Sequence, residues 1–338
     1  GMADIKLNNF VRGNDLLRNI ELGYNFKSFI FDEDEFRDGY LQRYIRHAPR
    51  ISFLFNADRS KGAYSALTVR YIDLKQEEAI FENQQFTGFD YVGNSIVDAQ
   101  YEYNISRAVN PWSLMVQYRQ LVTPASDFDR DFSRISMTVN KAFTYDSKRN
   151  VRLRMFAGYF ISNENRNSFS DSGRAFQLTG NGHDLDDAWY DDQMIGRNQL
   201  DGLWSKQVAI RDAGFKNAFP RAFSSISGNS NNMMIAANLL ADLPVDLPLK
   251  LPLKPYFDLA YSAPGPLDAT GPENIWYSGG IAFQLPLDIL SIYFPIIHSE
   301  NLQDLYLSSG QDSFIKQISF SLNLDFVQVD KTINKLGL

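Results

Sequence analysis

The chain contains no cysteine, so it has no disulfide framework, no thiolate metal site and no cysteine nucleophile. Histidine is almost as scarce: His47, His183 and His298 are isolated, and no His-Glu-x-x-His pair exists for zinc-peptidase chemistry. A Gly-x-Ser-x-Gly elbow, a phosphate-cradling loop before Lys-Ser/Thr and a dinucleotide fingerprint are also missing. A basic excess is missing too. The net charge of −7 and pI near 5.1 exclude the electrostatic footprint of a nucleic-acid binder. No run of apolar residues is long enough for a transmembrane helix. That absence does not exclude a transmembrane barrel, whose alternating strands average out in any hydropathy window. No signal peptide is recognisable, and Gly1 before Met2 reads as a residue left by tag cleavage. A leader or an upstream domain is therefore expected to have been removed.

What the sequence does have is aromatic residues, 14% of the total with 26 Phe and 17 Tyr, and strict period-2 alternation. Ile20, Leu22, Tyr24 and Phe26 alternate with Glu21, Gly23, Asn25 and Lys27. Val97, Ala99, Tyr101 and Tyr103 oppose Asp98, Gln100, Glu102 and Asn104. Ile51 through Asp58, Leu67 through Tyr71, Trp112 through Arg119, Arg134 through Asn140 and Val151 through Met155 repeat the pattern. Further strands are expected near 203–216, 229–243, 251–263, 276–287 and 313–327, giving about twelve in all. Tight turns are expected near 59–62, 108–110 and 146–150, and long connections over 32–45, 76–93 and 164–202. Short turns on one rim and long loops on the other is the outer-membrane pattern, and it puts both termini on the short-turn, periplasmic side.

A soluble β-sandwich alternates in the same way with its apolar face inward. Three features favour a lipid-facing barrel instead. The strands are about 11–15 residues long, where globular strands centre on roughly 5–6 and membrane strands need about 9–11. The polar register carries both signs of charge: Glu21, Lys27, Asp58, Arg70, Asp98, Glu102, Arg119, Arg152, Arg154 and Asp258. Across a lumen such groups could pair. Aromatics also recur near strand ends, at Tyr24, Phe29, Tyr71, Trp112, Phe143, Tyr159, Phe257, Tyr261, Trp276 and Tyr277, as interfacial girdles do.

Pro244, Pro248, Pro252 and Pro255 exclude a central strand over 244–255 and suit an exposed connection. Residues 161–202, rich in Asn, Ser, Asp and Gly, read as a long external loop. Within it, His183, Asp184, Asp186 and Asp187, followed by Asp191 and Asp192, are the candidate metal ligands, through which Ca²⁺ could bind in the 181–192 stretch. The spacing is not that of an EF-hand, and a solvated acidic loop is the simpler reading. Asp127, Asp129 and Asp131 carry the same reading. Glu21, Asp98, Glu102, Arg119, Arg152 and Arg154 are the candidate lumen-facing residues. Arg152, Arg154 and Arg211 could form a cationic stripe that selects anions, or could serve as structural partners of lumenal carboxylates.

The blocks Leu178-Thr179-Gly180 through Gly196-Arg197, Leu203-Trp204-Ser205-Lys206-Gln207 and Arg211-Asp212-Ala213-Gly214-Phe215-Lys216 resemble one family. So do Ile292-Tyr293-Phe294-Pro295-Ile296 and the run from Phe314 to Leu324. The likeness, over about residues 170–326, is to the C-terminal region of Bacteroidetes envelope proteins whose N-terminal part is a gluzincin, aminopeptidase N-like metallopeptidase. It implies that the zinc ligands and catalytic Glu lie upstream of this chain, and no catalytic residue carries over.

The reading is an all-β, antiparallel up-and-down transmembrane barrel of about twelve strands in a bacterial outer membrane. Residues 1–17 are a cleavage scar and lead-in, 18–327 the barrel and 328–338 a tail. The expected function is noncatalytic: an anchor in outer-membrane lipid for an upstream periplasmic peptidase domain of the same native chain, with no cofactor and no nucleic-acid partner. The alternative is an outer-membrane channel or transporter for small, possibly anionic, solutes. A hydrolase with residues borne on loops is a third class.

Overall fold

The fold is known from a computed structural model that describes residues 2–7, 16–32, 42–56, 62–82, 85–107, 109–123, 132–146, 149–163, 175–180, 191, 194–195, 202–219, 228–245, 251–263, 274–285 and 288–323. Among the described residues, thirteen strands form one antiparallel sheet in which every neighbour in space is a neighbour in sequence. They are β1 (Met2–Leu7), β2 (Leu17–Asp32), β3 (Gln42–Phe55), β4 (Ala63–Glu82), β5 (Gln85–Ile105), β6 (Trp112–Thr123), β7 (Phe132–Asp146), β8 (Arg149–Asn163), β9 (Met233–Ala241), β10 (Leu253–Ser262), β11 (Ile275–Gln284), β12 (Leu290–His298) and β13 (Ser319–Leu322). Helices α1 (Glu300–Ser308) and α2 (Phe314–Gln317) connect the last two strands. This is the up-and-down architecture of a β-barrel, and among the described residues β1 and β13 do not pair with each other.

The sheet is polar inside and apolar outside. Along β10, Phe257, Leu259 and Tyr261 are exposed, while Tyr256, Asp258, Ala260 and Ser262 are buried. Met155, Tyr159 and Ile161 of β8 and Ile235 and Leu239 of β9 face outward in the same way. Asp98, Arg119, Arg134, Asn238, Asp258 and Ser278 are all buried on the opposite face. A soluble sandwich would have the reverse polarity, because water solvates charges and expels hydrocarbon.

The expected strand total is close, but its composition differs. The lead-in stretch contains β1, whose Met2 lies beside Lys27, partway along β2. The first strand thus starts alongside the sheet rather than at the short-turn rim. β12, not among the expected strands, carries Pro295, a residue that a paired strand normally excludes. It is accommodated at a bulge, where Gly280 opposes Pro295 and Gly279 opposes Ile297. A side chain at Gly280 would put its Cβ 2.0 Å from the Phe294 carbonyl oxygen. The stretch 76–93 is not a loop: β4 and β5 continue pairing from Gln76–Val92 out to Glu82–Gln85 and form a long ribbon. Within the Pro-rich connection, Pro255 already belongs to β10, one residue before its pairing with β9 begins at Tyr256.

The largest departure is in the connection between β8 and β9. Residues 203–216, expected as a strand, and residues 175–180, expected in an external loop, lie inside the sheet as a plug. Phe176, Leu178, Ala213, Phe215 and Phe219 form one core with Phe156, Phe160, Met234 and Trp276 of the wall. Phe176 and Ser230 exchange backbone hydrogen bonds at 2.9 and 2.8 Å, and Val208 N donates to Phe320 O at 2.8 Å. The polarity of the lumen explains the difference. Where the interior is polar, an Asn-, Ser- and Gly-rich segment can be buried with its hydrogen bonds satisfied, so a polar composition does not mark an outside loop.

At the rim of the long connections, α1 folds inward. Its Leu302, Leu305 and Tyr306 join the same core. The Asn217 amide donates to the Tyr306 hydroxyl, and Gln311 Nε2 donates to Ala218 O at 2.7 Å.

Candidate functional site

The charged residues of the inner wall come together on two centres in the lumen. The first is Asp98 of β5, which is fully buried. The antiparallel register puts Arg70 of β4 opposite it on one side and Arg119 of β6 on the other. Arg70 Nε donates to Asp98 Oδ1 at 3.1 Å, Arg119 Nε to Oδ2 at 2.5 Å and Gln117 Nε2 to Oδ2 at 2.8 Å.

The second face of these guanidinium groups turns to the plug. Asp191 accepts from Arg46 Nη2 at 2.7 Å, Arg70 Nη1 at 3.1 Å and Arg119 Nη2 at 2.5 Å. Lys27 Nζ donates to its backbone carbonyl at 3.0 Å. One residue of the plug is thereby tied to four neighbouring strands, β2, β3, β4 and β6. Burial pushes the Asp191 carboxyl upward, but Arg70, Arg119, Arg46 and Lys27 outweigh it and hold the group well below the usual carboxylate range.

Lower in the lumen, Arg154 of β8 reaches the plug turn at Asp212–Gly214. Its Nη1 donates to Asp212 O at 2.7 Å and to Asn238 Oδ1 at 2.9 Å. Gly214, with φ of +70°, leaves the room: a Cβ there would lie 2.7 Å from Arg154 Nη1. Asn238 Nδ2 passes the network on to Asp258 Oδ1 at 3.0 Å, which Lys216 Nζ reaches at 2.5 Å. Arg211 Nη2 donates to Gln177 Oε1 at 2.6 Å, and Arg134 Nη1 to Ala175 O at 3.2 Å.

The sequence candidates are placed as follows. Asp98 and Arg119 belong to the Asp191 cluster. Glu102 shares their strand face and accepts a hydrogen bond from Gln100. Glu21 lies on the register of Asn25 and Lys27, and Asn25 Oδ1 accepts from Arg46 at 2.8 Å. Arg152 pairs with Asp288 at 2.9 Å and Gln284 at 2.8 Å, whereas Arg154 meets a carbonyl and an amide oxygen. His183, Asp184, Asp186 and Asp187 lie outside the described residues, as do Asp127, Asp129 and Asp131. Among the described residues, no three His, Asp or Glu side chains are grouped to hold a metal ion. Asp191, at the end of the acidic run, receives arginines. The signal was in the sequence, since an acidic segment and a set of inward arginines are complementary, but composition alone does not say they meet.

Of the girdle candidates, Tyr71, Phe143, Tyr159, Phe257, Tyr261 and Tyr277 are exposed. Trp276 is a correction. It faces inward, packs in the plug core and donates its indole N–H to Ser262 Oγ at 3.0 Å. Tyr24 is half-buried, with its hydroxyl 2.5 Å from His47 Nδ1.

No protein-family model and no curated protein matches the chain. Among solved structures it is similar to BamA from Haemophilus ducreyi lacking POTRA domains 1-3, at 13% identity and a TM-score of 0.49 over 89% of this chain. It is also similar to CdiB from Escherichia coli, at 11% identity and a TM-score of 0.42 over 83% of this chain. The chain spans 59% and 47% of the lengths of these two proteins. Both are outer-membrane β-barrel proteins. The likeness is distant, and what marks a lipid-facing surface in this chain is the inside-out polarity of its own sheet.

Proposed function

We propose that this chain is a plugged β-barrel of the bacterial outer membrane, a noncatalytic anchor or scaffold. Its carrying observation is the pairing of an apolar outer face with an interior in which residues 175–180 and 202–219 of the same chain pack against the inner wall. In lipid, the backbone groups of each strand must be satisfied by neighbouring strands, which an up-and-down sheet does. A lumen occupied by hydrogen-bonded chain suits holding better than free conduction. The resemblance of residues 170–326 to Bacteroidetes envelope peptidases suggests what is held: a gluzincin domain upstream in the native chain, on the periplasmic side.

The test is the mobility of the detergent-refolded chain in SDS, unheated against boiled, followed by planar-bilayer recording. A closed, plugged barrel shifts on boiling and carries no steady current. Absence of a shift, with a monodisperse folded chain in detergent-free buffer, would overturn the membrane reading. The peptidase link fails if the native reading frame upstream encodes no metallopeptidase.

A second reading, passage of small anions, is favoured by the arginines of the inner wall. It predicts reproducible current steps with anion selectivity.

A further inference from the structure

Two spaces lie in the lumen beside the described part of the plug. An inner chamber of about 560 Å³ is walled by Arg70, Arg119, Arg134, Arg154 and Arg211 together with Asp191 and Asp212. A vestibule of about 700 Å³ lies beside it, and Asn140, Arg154, Asp191 and Ile210 line both. The vestibule wall includes Trp112, Lys141, Arg152, Asp288 and Asn323, all next to the short connections of the sheet. On the side of the long connections, Leu302, Leu305 and Tyr306 of α1 are buried in the plug core. Among the described residues, the vestibule lies toward the short-connection rim.

We infer that the inner chamber is a binding site for a small free organic or inorganic anion, admitted through the vestibule past Arg154. Among the described residues, five guanidinium groups and two carboxylates face the chamber. Guanidinium is the side chain whose planar fork matches carboxylate and phosphate oxygens. The chain already demonstrates that chemistry, because the Asp191 carboxylate sits across Arg46, Arg70 and Arg119 at one end of the same space. Both volumes are within the range of small-molecule sites, roughly 300–1,000 Å³. Arg154 is the neck. It lines both spaces, and its Nη1 is held by neutral oxygens of Asp212 and Asn238, with Gly214 leaving clearance. Arg152, one inward position nearer the rim, extends the cationic path to the vestibule.

This inference rests on the lumen as built and needs no conduction across a membrane. The experiment is isothermal titration of the full refolded chain in detergent with citrate and, separately, inorganic phosphate, with sucrose as neutral control. Saturable binding of citrate or phosphate at one site per chain is expected, with none of sucrose. Arg154→Gln should weaken it at least tenfold and Arg152→Gln by a smaller factor. Lys316→Ala, which removes an exposed cation paired with Asp312, should leave it unchanged. Each variant is first checked for the unheated SDS mobility of the parent, which separates loss of the barrel from loss of the site. If properly folded parent chain binds neither anion, or if the arginine variants bind as the parent does, the chamber is structural only. A failed mobility shift with retained anion binding would instead strike the membrane reading and leave the site standing.

Discussion

Arg46, on the wall strand β3, and Asp191, in the plug, meet at 2.7 Å across 145 residues of chain. The Arg46 side chain is buried and that of Asp191 is 26% exposed. This contact and its neighbours through Arg70 and Arg119 fix the plug against one arc of the barrel. Removing one partner of a buried ion cluster leaves the others uncompensated, at a cost of about 3–5 kcal/mol. Asp191→Asn should therefore destabilise the plugged state by about 3 kcal/mol, the low end because the carboxylate is partly hydrated. Unfolding in urea at fixed detergent measures it. A loss below about 0.5 kcal/mol, the scale of ordinary surface changes, would mean the cluster does not clamp.

The same carboxyl dictates a pH dependence. Its folded value lies well below the usual one, because the cations around it outweigh burial, so the unfolded chain takes up the proton first as pH falls. The stabilisation it gives is complete above the unfolded carboxylate value, about 3.9, and is lost as pH drops through the folded value. The stability gap between parent and Asp191→Asn should accordingly be flat from pH 7 to about 4.5 and narrow below it. A gap that widens on acidification would reverse the sign and rule out an ionised Asp191.

Much of this is legible in the sequence, and what is not has separate physical causes. Period-2 alternation locates β5 to β8 and β9 to β11, because one face of each strand meets hydrocarbon and the other a polar lumen. Asp98 and Arg119 stand out as inward charges for the same reason. The rule that polar segments lie outside fails for 175–180, since the lumen is itself polar, while 203–216, whose alternation reads as a strand, folds into the plug with only isolated bridges. β12 is not among the expected strands, and the bulge that places Gly280 opposite its Pro295 is visible only in the paired sheet.

The outer face offers the sharpest discrimination between lipid and water. Met155 is 45% exposed on β8, flanked by Val139 and Ala237 and midway between Val151, the partner of Phe143, and Tyr159. Midway between these aromatic ends, Met155→Arg should cost about 2–4 kcal/mol in a bilayer. On a water-facing sheet the same change would stay within about 0.5 kcal/mol. Folding into lipid vesicles, followed by gel mobility across a urea series, gives the number, and a neutral result would put this face in water.

Gly158 is where the wall makes room for the plug. A Cβ at this position of β8 would stand 2.6 Å from Phe176 Cε1 and 2.7 Å from Cζ. Phe176 is fully buried, edge-on to Phe160 with centroids 5.0 Å apart and to Phe156 at 5.7 Å. The ring cannot retreat without breaking both contacts, so Gly158→Val must push it, and the plug strand bridged to Ser230, away from the wall. Overpacking of this kind costs about 1–3 kcal/mol. Because the backbone pairing of β8 with β7 and β9 does not depend on that ring, the barrel should persist while the plug loosens. The expected signature is an unheated gel mobility like that of the parent, together with faster proteolytic cleavage within 175–219. Parent-like cleavage would show that Phe176 does not seat the plug, and loss of the mobility shift would show that plug and barrel fold as one unit.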